Sequence, residues 1–152
     1  MHDARVAGEG RYELFDLTVA EAHHISAGDT VKLVLLSAPS ERHDASVFLE
    51  IWEPGGAQPD NSHPASTETF LFLSGEGVAH CDGLTTPVRA GQLLVLHANS
   101  LHRIENTGSD RLYAITTMQP DHGFADLVRR GPLAGLDEED KAVLRASPSG
   151  PA

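Results

Sequence analysis

Two imidazoles and one carboxylate are the side chains of this sequence best suited to shared chemistry. In PGGAQPDNSHPASTETFLFLSGEG, residues 54–77, His63 stands five residues before Glu68, with Asn61 two residues before His63. A further ring, His102, lies in LHRIEN, residues 101–106. In extended chain alternate side chains share a face. Asn61 therefore points with His63, Glu68 with Phe70 and Phe72, and His102 with Ile104 and Asn106. If a barrel brings His63, Glu68 and His102 together, they suit a first-row divalent ion and leave coordination positions open. Open positions admit water or substrate, and turn the ion into a Lewis acid or an oxygen-binding centre. The two-His, one-carboxylate set favours Fe(II); Mn, Ni, Cu or Zn accept the same ligands. Taken one at a time, each residue has a plainer explanation: a loop histidine beside Pro64, an exposed strand glutamate, a histidine at a turn. The Phe-Leu-Phe-Leu run after Glu68 weighs against that, because an acid facing a core needs a partner.

Short strands must do the positioning. VKLVLLSA (31–38) and SVFLEIW (46–52) are β-branched and apolar. TETFLFLSG (67–75), EGVAHCDG (76–83), TTPVRAG (85–91), QLLVL (92–96), LHRIEN and RLYAITTM (111–118) follow at short intervals. Glycines punctuate them, and Asn106–Asp110 forms a turn cluster. Strands so close together, with no helices between them, predict an antiparallel sandwich or barrel. After Pro120 the pattern changes. Phe124, Leu127 and Val128 in GFADLVRR have helical spacing, closed by Gly131-Pro132. Asp137 reads as the N-cap of a second helix over EEDKAVLRA. The expected organisation is a flexible segment over 1–10, a barrel over 11–120, a helical segment over 121–146 and a disordered tail over 147–152.

Composition bounds the partners. The chain has 152 residues, 40% hydrophobic and 22% charged, enough for one folded domain. Its 22 acidic against 11 basic residues give a formal net charge of −11, which argues against nucleic acid and anionic membranes as partners. A single cysteine, Cys81, precludes an intrachain disulfide and a cysteine-based zinc site. With no apolar leader and no membrane-length apolar run, the expected location is the cytoplasm. His80, Cys81, Tyr113 and Met118 read as ordinary strand residues, His23-His24 as surface or interface residues, and Asn106 as a backbone-bonding residue at a strand end.

The segment 55–75 resembles the first motif of the cupin superfamily: glycine, His-x-His, four residues, Glu, six residues, Gly. Gly55-Gly56 opens it, Asn61-Ser62-His63 stands at His-x-His, and Glu68 and Gly75 complete it. Residues 91–106 resemble the second motif through Gly91, His102 and Asn106. His97 stands where proline is usual and Asn99 where glycine is usual; Asn tolerates positive φ, so the turn should survive. The resemblance covers Gly55 to Asn106 and implies an all-β antiparallel jelly-roll barrel, with one or two short C-terminal helices.

Metal-binding cupins use both histidines of the first motif, so Asn61 marks a departure. The metal set is then His63, Glu68 and His102, with Asn61 as a neutral amide ligand or as a hydrogen-bonding partner of bound water or substrate. A decayed, metal-free ligand site is the third reading. Asp60 cannot replace the lost histidine, because neighbouring residues face opposite ways. Phe70, Phe72, Leu94, His97 and Ile104 are expected either to line the substrate pocket or to stand behind the ligands and support them, with His97 as a turn residue at the rim. The resemblance implies a metal-dependent enzyme acting on a small organic molecule, most readily an oxygenase. The alternatives are a non-redox lyase or isomerase, and a non-catalytic ligand-binding cupin. It also implies a homodimer, paired through sheet faces supplied by LVLLSA and FLEIW.

Overall fold

The computed structural model describes residues 5–7 and 10–145. The expected tail over 147–152 lies outside them. Twelve strands and two short α-helices account for the fold. The strands run β1 (Arg5–Ala7), β2 (Leu14–Phe15), β3 (Ala22–His23), β4 (Val31–Ser37), β5 (Ser46–Trp52) and β6 (Thr67–Ser74). They continue with β7 (Glu76–Cys81), β8 (Leu84–Arg89), β9 (Leu93–Leu96), β10 (His102–Glu105), β11 (Leu112–Gln119) and β12 (Leu133–Ala134). Helix α1 (Phe124–Arg129) precedes β12 and α2 (Glu138–Leu144) follows it. Strand β1 pairs with β2.

One sheet of seven strands, in the order β12-β3-β4-β5-β11-β6-β9, faces a sheet of three, β10-β7-β8. Every pair is antiparallel. This is the antiparallel jelly-roll barrel expected from the sequence. Its interior is filled by Val31, Leu33, Phe48, Trp52, Phe70, Phe72, Ile104 and Leu112. A second apolar layer, on the outer face of the large sheet, joins Val34, Leu36, Leu49, Ile51 and Tyr113. Burial on both faces explains why β4 and β5 read as near-continuous apolar runs rather than alternating ones. The outer layer is covered by the chain itself, through Phe15, Leu17, Leu136, Val143 and Leu144. The outward faces of LVLLSA and FLEIW, expected to meet a second copy, are therefore occupied within one chain.

Backbone chemistry shapes the turns. Asp82 and Gly83, with φ of +50° and +82°, link β7 to β8 in a two-residue hairpin of the Asp-Gly kind. Gly75, at φ +90°, has a second reason to lack a side chain: a Cβ there would lie 2.6 Å from the Arg111 carbonyl oxygen. Asn99 adopts φ +70°, as its place in the second motif predicts. Asn106 is buried; its amide donates to the Trp52 and Asp110 carbonyls at 3.0 and 2.8 Å and accepts from Gly108 N–H. It has the structural role expected of it.

Both helices form near their expected places. Asp137 caps α2 in a reciprocal box with Asp140. One histidine departs from expectation. His23 is buried, with Nδ1 donating to the Gly131 carbonyl at 3.1 Å, and His24 Nδ1 donates to Val31 O at 2.7 Å. Both rings tie this edge to the chain's own backbone, and His23 is turned away from solvent.

Candidate metal centre

Glu68 is the second residue of β6, where strict alternation turns Glu68, Phe70 and Phe72 inward and leaves Leu71 and Leu73 outside. His102 opens β10 and exchanges two backbone hydrogen bonds with Asn61, at 2.9 and 2.8 Å. That bridge carries the segment holding His63 across the mouth of the barrel. The His63 carbonyl in turn accepts from Asn99 N–H at 2.9 Å, so the left-handed residue of the second motif anchors a residue of the first. Pro64 restricts His63 to extended backbone.

These constraints bring the three side chains together. Glu68 Oε2 lies 2.9 Å from His102 Nε2 and 3.2 Å from His63 Nε2. The three groups each offer a ligand atom within 4.8 Å of the others. Separations of about 3 Å suit neighbouring ligands on one ion with bonds of ~2.1 Å. Glu68 and His102 are each 3% exposed, and the His63 ring is packed edge-on by Phe124 at 5.6 Å. Phe70 meets the His102 ring in the same manner, at 6.5 Å.

One hydrogen bond fixes the tautomer of His102. His102 Nδ1 lies 2.9 Å from the Ser100 carbonyl, which can only accept, so Nδ1 carries the hydrogen. In the neutral ring Nε2 is then the unprotonated atom, 2.9 Å from Glu68 Oε2, a buried atom with no hydrogen-bond donor. Two lone pairs facing each other in a buried place are relieved by a proton on a ring or by a metal ion, and His63 Nε2, 3.2 Å from the same oxygen, offers a third ligand atom. Burial opposes charge on both groups, yet Glu68 holds His102 above its ordinary value, and the two rings hold Glu68 below its own. The Ser100 contact is also the outer-shell hydrogen bond that fixes a metal-binding tautomer. The donor set therefore fits a divalent ion.

A cavity of about 400 Å³ opens beside these groups. Ile25, Val31, Leu33, Phe124 and Leu127 supply its apolar walls, and Asn61, His63 and Glu68 part of its polar side. Asn61 turns its amide nitrogen to the Pro59 carbonyl at 3.0 Å. Asp60, facing the other way, lies 3.6 Å from Arg103. None of the five residues expected in the pocket or behind the ligands lines this cavity, but Phe70 backs the His102 ring. Phe70, Phe72 and Ile104 are fully buried in the core, and Leu94 and His97 border a separate surface depression. A shared strand face sets a side chain's direction, but every second residue lies ~6.7 Å further from the mouth.

Glu50 and Gln58 are two polar cavity residues that the sequence reading did not single out. Glu50 is 1% exposed; Gln58 Nε2 donates to its Oε2 at 2.9 Å, while Gln58 Oε1 accepts from Ile104 N–H at 3.0 Å. Burial, and then the charge of Glu68, push the Glu50 carboxyl well above the usual range. The available signal was a lone charge within the apolar strand SVFLEIW.

A β-barrel with an inward His/His/Glu cluster at its mouth defines a class, and the chain belongs to the cupin family. Residues 48–118 match the family described as Cupin domain. The chain is 31% identical over 86 residues to the Oxalate-binding protein of Thermotoga maritima, covering 56% of this chain and 71% of that one. It is 28% identical over 95 residues to Polyketide synthase CurC of Streptomyces cyaneus, covering 62% and 58%. The crystal structure of a predicted oxalate decarboxylase from Thermotoga maritima superposes with a TM-score of 0.59 at 23% identity, covering 68% of this chain and 95% of that one. That last likeness is one of fold.

Proposed function

We propose that the chain is a metal-dependent cupin enzyme acting on a small organic molecule, with His63, Glu68 and His102 holding one divalent transition metal. The observation that carries this reading is Glu68 Oε2, buried without a hydrogen-bond donor and faced by two imidazole nitrogens. When bound, an ion at these three ligands supplies Lewis-acid or oxygen-binding chemistry at its open positions. The ligand set favours Fe(II) and an oxygenase. The protein's own part is to orient and shield: Phe124 and Phe70 hold the rings, the apolar walls exclude water, and Asn61 stands at the rim to orient water or substrate.

The test is elemental analysis of protein purified without added metal. Near-stoichiometric metal is expected in the wild type, with losses of about tenfold or more in His63→Ala and His102→Ala. Metal retained in both variants would show that the ligands are misassigned. Oxygen consumption by the iron-loaded protein during turnover separates an oxygenase from a lyase or isomerase. The relative named Oxalate-binding protein favours a second reading, in which the same site holds a small ligand without turnover. A homodimer belongs to the proposal as well.

A further inference from the structure

Deepening the reading of His63, Glu68 and His102 as the metal site, we propose that Glu50 is a substrate-binding residue and that the cavity takes an uncharged, hydroxyl-bearing organic molecule rather than a dicarboxylate. Charge around the cavity is the first ground. Asp29, Glu50, Glu68 and Asp121 all line it, and among the described residues no lysine or arginine does. The nitrogen bases on the wall are His63, assigned to the metal, and His122. A bound ion's positive charge is already shared with Glu68. An entering dicarboxylate would meet further carboxyl groups in a place of low dielectric, with no guanidinium or ammonium to offset them.

The second ground is which carboxyl is free to bind. Asp29 accepts from Ser26 N–H and Oγ, at 2.8 and 3.1 Å. Asp121 accepts from Gly123 N–H and Ala125 N–H, at 3.1 and 2.9 Å. Glu68 faces the two rings. Glu50 has one oxygen engaged by Gln58, whose own orientation is set by Ile104 N–H. Its other oxygen bonds to no described residue, is not among the atoms sealed from solvent, and belongs to a side chain that lines the cavity. Glu50 is thus a nearly buried polar group with one oxygen left for a ligand.

A hydroxyl both donates and accepts, so it pairs with a carboxyl in either protonation state. The rest of the cavity suits an apolar body, with Ile25, Val31, Leu33, Phe124 and Leu127 on its walls. A volume of about 400 Å³ falls in the range of small-molecule sites.

Calorimetric titration of the purified protein with phenol and with succinate tests this, in wild type, Glu50→Gln and Glu50→Leu, with metal content measured on the same samples. Phenol is expected to bind wild type about tenfold more tightly than succinate. Glu50→Leu should weaken phenol by about fivefold to tenfold, the weight of one hydrogen bond. Glu50→Gln keeps a donor and an acceptor, so phenol should stay within about twofold of wild type. Tighter binding of succinate than phenol to wild type overturns the proposal, as does an unchanged phenol affinity in Glu50→Leu. Stoichiometric metal with that reversed order sinks this proposal and leaves the metal reading standing. The expected order without metal does the opposite.

Discussion

His102 shows how one hydrogen bond settles the chemistry of a residue. Its Nδ1 is tied to the Ser100 carbonyl, so its Nε2 is left for Glu68 and for whatever cation joins them. In metal-free protein that cation is a proton, and the pH dependence follows. His102 is raised above its ordinary 6.5, so its contribution is complete below pH 6.5 and fades as pH rises through the folded value. Glu68 is lowered below 4.5, so its contribution is present above 4.5 and fades as pH falls through the folded value. Glu50 is raised well above 4.5; the unfolded chain ionises it first, so stability declines as pH rises past 4.5. Urea denaturation of metal-free protein from pH 5 to 9 should therefore show a falling midpoint, and Glu50→Gln should flatten the fall and stand above wild type at the alkaline end. A Glu50→Gln profile parallel to wild type would show that burial of this carboxyl costs the fold nothing.

At the level of elements, the C-terminal segment is locked to the large sheet by one buried carboxylate. Asp140 accepts from Tyr113 Oη at 2.9 Å, Lys32 Nζ at 2.6 Å, Arg111 at 3.1 Å and Asp137 N–H at 3.2 Å. Arg111 also pairs with Asp137, whose carboxyl is lowered to about 2 by the Asp140 N–H and then by the guanidinium. Removing the shared carboxylate strands several buried donors, so Asp140→Ala should cost about 3 kcal/mol in chemical denaturation. A loss below about 1 kcal/mol would mean that the lock is redundant with the apolar cover of Val143 and Leu144. The Asp137 cap was legible because capping chemistry is local. The junction at Asp140 was not, because Tyr113, Arg111 and Lys32 lie 27, 29 and 108 residues away in sequence. Depth was hidden for a related reason: alternation placed Phe70 and Phe72 on the inward face of β6 but carried no information on how far from the mouth they lie.

For the whole molecule, the apolar surface left open differs from the one the strand sequences suggested. The outer face of β4 and β5 is covered by α2 and the N-terminal segment, whereas Leu71, Leu73, Leu93 and Val95 on β6 and β9 are 39–59% exposed. These strands pair at the sheet edge, Leu71 opposite Leu93, so the four side chains form one strip, the kind of surface that marks an interaction site. If the proposed homodimer uses it, sedimentation at micromolar concentration should give the mass of two chains, and Leu93→Lys should return the mass of one. A wild type that sediments as a single chain removes the homodimer. Among the described residues no helix is long and apolar enough to cross a membrane.

Strand periodicity, turn residues and two spaced motifs are local properties of the chain, and they were enough to specify the barrel, the His63/Glu68/His102 cluster and the roles of Asn99 and Asn106. Tertiary packing settled what depends on distance across the fold: the depth of each side chain in the cavity, the burial of Glu50 against Gln58, and the face covered by α2. A residue's direction follows from its immediate neighbours along the strand, but its surroundings are set by elements far away in sequence, and those surroundings determine whether a carboxyl binds a metal, meets a substrate or locks a helix.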